Sequence, residues 1–135
     1  MKKGGASSGA SGANQPPWDI VDRTFEFAVR IVKLCVHLDE KPGVGRVLMP
    51  QILRAGTSVP ANVEEAQAAQ SKADFISKMS IALKEARETH LRLRLLSPAG
   101  VVVESRLQPL IAEAEELKQI LGAIIVSTKR GGTGS

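Results

Sequence analysis

Residues 71 to 96, SKADFISKMSIALKEARETHLRLRLL, decide the fold. Phe75, Ile76, Met79, Ala82, Leu83, Ala86, His90 and Leu93 recur at three- and four-residue spacing, the period of a helix with one apolar seam. Ser71 with Asp74 three residues on reads as an N-terminal cap, because a short side-chain oxygen can accept a first-turn N–H that has no intrahelical partner. Ser97-Pro98-Ala99-Gly100 ends the segment. A helix with one seam needs partner surfaces, and the rest of the chain supplies them.

Three further segments carry helical spacing. The first runs from Trp18 or Asp19 to Leu38 and stops before the loop DEKPGVG, residues 39 to 45. At steps of about 100° its charged and polar residues Asp22, Arg23, Glu26, Arg30, Lys33 and His37 share one arc. The apolar remainder spans roughly 220°, about twice what one core requires, so two faces of this helix call for burial. The second segment, residues 47 to 69, holds Pro50, acceptable in a first turn, and Pro60 in its interior. Pro60 removes the bond to the residue 56 carbonyl, which predicts a kink near Ser58 to Pro60 or a restart capped by Asn62 and Glu65. The fourth segment, residues 105 to 127, has Pro109 in its first turn and a stripe from Leu107 to Ile125. Four helices with short connections predict an all-α fold, an antiparallel up-down four-helix bundle with a kinked second helix, occupying residues 18 to 128. Residues 1 to 17 and 129 to 135, rich in Gly and Ser, read as disordered tails.

Composition agrees. Of 135 residues 43% are hydrophobic but only 3% aromatic, with no Tyr, which argues against an all-β fold. The length supports one domain. No apolar run approaches the roughly 18 residues of a membrane span, and no apolar signal core follows Lys2 and Lys3. The expectation is a soluble, cytoplasmic chain with no membrane association. A single cysteine, Cys35, excludes an internal disulfide and a cysteine-built zinc site.

At residues 51 to 67, QILRAGTSVPANVEEAQ, the chain resembles a small family of four-helix bundle or 23S rRNA-intervening sequence proteins. The residues that carry the likeness are Gln51, Ile52, Arg54, Ala55, Ser58, Pro60, Asn62 and Glu65, and SIALKEARET from Ser80 to Thr89 fits the same family. Apolar spacing extends it over residues 18 to 128. Leu53 stands where many members carry a second arginine, Ala66 where the run often ends in glycine, and His90-Leu91 where Tyr-Trp commonly follows. The resemblance implies a homopentamer of four-helix protomers with a basic surface and no catalytic activity. Relatives in diversity-generating retroelements imply partners: nucleic acid, RNA or DNA, and a reverse transcriptase.

Enzyme chemistry finds no support in the residues. Di-metal bundles need Glu-x-x-His on two helices, whereas Leu34 precedes His37 and Arg87 precedes His90 by three. No phosphate-binding glycine loop of the G-x-x-x-x-G-K-[ST] type is present. Cys35 and His37 diverge by about 160° on a helix and form no nucleophile–base pair; Cys35 and His90 read as packing residues. No cofactor and no metal are expected. Around Pro60, side-chain oxygens of Ser58 and Asn62 are expected to satisfy backbone groups the proline releases, a structural role.

Charge is the one positive functional sign. Net charge is +4, and residues 71 to 103 hold six basic against three acidic residues. Lys84, Arg87 and Arg94 fall together beside the seam, while Lys78 and Arg92 lie elsewhere and have i,i+4 spacing to Asp74 and Glu88. These five, with Arg54, are the candidate nucleic-acid contacts. With Tyr absent and Trp18 and the phenylalanines expected in packing, base stacking is not anticipated, and binding should be directed at phosphate. The sequence therefore points to a non-enzymatic homo-oligomeric adaptor for nucleic acid or a nucleic-acid enzyme. The alternative is a protein-binding scaffold in which the charge is incidental.

Overall fold

Ser71 caps its helix as its spacing requires: the side chain is 3.0 Å from the Asp74 amide and accepts its hydrogen bond. In the computed structural model, which describes residues 19 to 131, that helix is the third of four: α1 (Asp19–Leu38), α2 (Val44–Gln67), α3 (Lys72–Leu96) and α4 (Glu104–Gly131). No strand occurs among the described residues, and the fold is all-α. The proposed N-terminal tail and Trp18 lie outside the described residues.

Helix ends follow backbone chemistry. Gly43 holds φ at 139°, a conformation that L side chains rarely adopt, and α2 begins directly after it, three residues before the sequence placed it. Gly100, at φ 77°, closes α3: its N–H reaches the Ser97 carbonyl at 2.9 Å while Val101 N–H reaches Leu96 at 2.8 Å, the paired pattern that satisfies last-turn carbonyls. At the far end α4 runs on to Gly131, so Lys129 and Arg130, expected in a tail, form its last turn, where cations complement the carbonyl end of the helix.

The prolines sit deeper than expected. With α2 starting at Val44 and α4 at Glu104, Pro50 and Pro109 both lie beyond the first turn, but both are exposed, so solvent can reach the carbonyls they leave free. Pro60 is buried, and α2 continues through it without a restart at Asn62. Ser58 and Asn62 do not serve the Gly56 carbonyl that Pro60 releases. Ser58 Oγ donates to Arg54 O at 2.7 Å, and Asn62 Nδ2 donates to Ser58 O at 2.9 Å. Glu65 is exposed.

Each helix packs on its neighbour in sequence, extensively for α1 on α2, α2 on α3 and α3 on α4, but α1 meets α4 only sparsely. The core between them is aliphatic, built on Ile31, Ile52, Val59, Met79, Leu93 and Leu117, each fully buried. Gly56 lets α1 and α2 approach closely, since a Cβ there would stand 2.7 Å from Ile31 Cγ2. Nearer the loop Gly45 faces Leu38, and Cys35 Sγ lies 3.8 Å from the Met49 carbonyl.

The core takes one face of α1, with Ile20, Thr24, Phe27, Ile31, Cys35 and Leu38 inside. The second apolar face read from the sequence remains open in the protomer: Phe25 is 54% exposed and Val36 61%, with Val32 between them. Phe25 thus departs from the expectation that every phenylalanine is packed; Phe27 is buried and Phe75 half-buried.

Candidate functional site

The six predicted contact residues divide by what they touch. Arg54 of α2 reaches across to α3, with Nη1 3.6 Å from Glu85 and Nη2 3.8 Å from Glu88. Lys78 pairs with Asp74 at 3.4 Å and Arg92 with Glu88 at 3.0 Å, as their spacing predicts. The hydrogen bond from Arg92 is the main reason the Glu88 carboxyl is held below the usual carboxylate range. These three cations are engaged within the protomer. Lys84, Arg87 and Arg94 are exposed and have no ion-pair partner among the described residues.

The exposed face of α3 is not purely cationic. Leu91 and Leu95 are each about half exposed, and Ile81 is 40% exposed. At helical steps of about 100°, Leu91 and Leu95 fall on the arc of Lys84. Sequence reading assigned this arc to charge alone; the leucines add an apolar component that charge counting misses.

A second basic region went unseen because its residues come from helices far apart in sequence. Between α1 and α4, which meet only sparsely, a groove of about 240 Å³ has Arg30, Lys33 and Arg106 on its walls and Leu34, Leu107 and Leu110 among its lining. His37 also lines it, with Nδ1 3.5 Å from Glu40. Arg30, Lys33 and Arg106 are exposed and without ion-pair partners among the described residues, and no carboxylate among those residues lines the groove. Further along α4, Glu113 accepts a forked pair of bonds from Arg23, at 2.7 and 3.1 Å, and Glu116 accepts a third at 2.8 Å.

Cys35 and His90 are both buried. Burial pushes the Cys35 thiol up to about 11, so the thiolate is scarce at neutral pH. His90 is buried, 3.5 Å from Glu115 through Nε2 and 3.4 Å from Lys118 Nζ through Nδ1. Its pKa is lowered, first by burial and then by Lys118 and Arg94. Among the described residues no helix is long and apolar enough to cross a membrane.

Comparison with known proteins agrees with this architecture. A crystal structure of a protein of unknown function from the S23 ribosomal protein family of Bacteroides thetaiotaomicron superposes with a TM-score of 0.73 at 42% identity, over 78% of this chain and 97% of that one. A search of curated proteins finds no match. The family model described as 23S rRNA-intervening sequence protein matches residues 18 to 123, a span that takes in the Pro60 motif, the Ser80–Thr89 run and most of all four helices. The chain therefore belongs to the 23S rRNA-intervening sequence protein family.

Proposed function

We propose that this chain is a non-enzymatic, cytoplasmic adaptor that assembles as a homopentamer and holds nucleic acid by charge, RNA in the first place, as an accessory to a retroelement reverse transcriptase. The observation that carries the reading is the open apolar stripe of α1, Phe25, Val32 and Val36, alongside an α3 face in which Lys84, Arg87 and Arg94 are unpaired among the described residues. An exposed stripe of large apolar residues is the mark of a protein interface rather than of a solvated helix. The family resemblance supplies the number five, and the family's name supplies RNA as the first nucleic acid to test.

The protomer in this reading is an antiparallel up-down bundle with α2 bent at Pro60. Support comes from register: Leu38 faces Gly45 while Ile31 faces Gly56, so numbering falls along α1 as it rises along α2. Five copies of a +4 chain gather about +20 on one particle, which strengthens attraction to phosphate far beyond that of one protomer. With no Tyr in the chain and two of its three phenylalanines packed, contacts go to the backbone and not to bases. Binding of a single-stranded RNA measured across a salt series tests the nucleic-acid part. Affinity that falls steeply with salt and varies little with sequence supports it, and no binding at low salt refutes it.

A further inference from the structure

We propose that the groove between α1 and α4 is a docking site for an acidic, amphipathic peptide segment of a partner protein, a site separate from the α3 face and independent of the nucleic-acid reading. Three observations converge on that occupant. The walls present Arg30, Lys33 and Arg106, none of them in an ion pair among the described residues, while Glu113, about two helical turns along α4 from Arg106, is already held by Arg23. Beneath the cations the lining is aliphatic: Leu34 is half-buried, and Leu107 and Leu110 form the floor. The helices that bound the groove pack more sparsely on each other than any other neighbouring pair, which is why the furrow exists.

Chemistry then selects among polyanions. A phosphate backbone is satisfied by cations alone and gains nothing from a leucine floor; among the described residues no Phe, Tyr or Trp lines the groove for a base to stack on, and its one ring, His37, lies 3.5 Å from Glu40. At about 240 Å³ it is smaller than the cavities that enclose drug-sized ligands, but it suits one or two anchoring side chains. Between Arg30 and His37 the α1 wall runs two helical turns, about 10 Å. A short helix with Leu, Ile or Phe at i, i+3 or i+4 and Asp or Glu beside them matches both layers: apolar anchors go onto Leu34, Leu107 and Leu110, and carboxylates reach the guanidinium and ammonium groups, with Arg30 and Arg106 able to fork.

The test is a random-peptide display selection on the full-length protein, run in parallel on Arg30→Glu/Lys33→Glu/Arg106→Glu, whose altered residues are all exposed. A fluorescein-labelled copy of the most enriched peptide is then titrated by anisotropy. The expected result is enrichment of acidic peptides with helically spaced aliphatic or aromatic anchors. Their binding should weaken at least about tenfold in the charge-reversed protein and also in Leu34→Gln. Oligoglutamate of equal charge should compete poorly, and circular dichroism should show both variants folded. Selection that yields no peptides, or basic or uncharged ones, overturns the proposal. So does oligoglutamate or single-stranded RNA displacing the peptide as well as the unlabelled peptide does, since the groove is then a plain polyanion site. Loss of oligomer mass in the charge-reversed protein overturns it too, because the occupant is then a second copy of this chain.

Discussion

Arg54 Nη1 lies 3.6 Å from the Oε1 atom of Glu85, a buried carboxylate oxygen with no hydrogen-bond partner among the described residues. The arginine of the family motif thus stands as a counter-charge to an acid that α3 buries against α2, while its own guanidinium is largely exposed. Arg54→Ala should lower stability by about 1–2 kcal/mol, less than a fully buried pair would cost because Arg54 is largely exposed. Adding Glu85→Gln should recover part of the loss. Thermal unfolding of the single and double variants checks this, with RNA affinity expected to stay near that of the parent.

Gly56 is the close contact on the other side of α2. A methyl group there would meet Ile31 Cγ2 at 2.7 Å and Cγ1 at 2.9 Å, both on a fully buried side chain that cannot swing away. Gly56→Ala should therefore destabilise by about 1–3 kcal/mol despite alanine's better helix propensity. In Ile31→Ala the obstructing atoms are gone, so the double variant should be less destabilised than the two singles predict together. Chemical denaturation of all four proteins measures that coupling.

Stability should fall as pH drops through the histidine range. The buried His90 has a lowered pKa in the folded protein, so the unfolded chain binds its proton first, near 6.5. Protons therefore favour unfolding as pH drops below about 6.5, and the neutral-imidazole contribution is fully present only above it. Glu115 partly opposes the shift, whereas Lys118 and Arg94 reinforce burial. Melting temperatures between about pH 7.5 and 5.5 should decline in the parent and be flatter in His90→Gln.

Much of this was legible in one dimension. Ser71 and Asp74 announced the start of α3, Gly100 its end, and the excess apolar circumference of α1 anticipated Phe25, Val32 and Val36 standing open. What depended on the third dimension was not. Lys129 and Arg130 looked like tail because glycines follow them, yet Thr128 bonds back to Ile124 at 2.7 Å and the helix carries on. The partners of Arg54 lie on another helix, and the groove assembles Arg30 and Lys33 with Arg106, residues about seventy positions apart that no local spacing connects. Charge counting found the excess on α3, and i,i+4 spacing found the pairs of Lys78 and Arg92, but nothing local showed that Arg54 is engaged across helices.

On α3, pairing predicts which cations matter for RNA. Reversing Lys84, Arg87 and Arg94 to Glu should weaken RNA binding and flatten its salt dependence, by about 0.7 in the log–log slope for each phosphate that is no longer neutralised. Reversing Lys78 and Arg92, whose charges are engaged with Asp74 and Glu88, should change the slope much less. Filter binding across a salt series distinguishes the two sets.

The central claim is that the open stripe of α1 is an interface between copies. Light scattering on the purified protein at micromolar concentration tests it most directly, with Phe25→Asp/Val32→Asp as the companion because both positions are exposed in the protomer. The account predicts the mass of five 14.4 kDa chains for the parent and a folded single chain for the variant. A parent that stays at 14.4 kDa contradicts it.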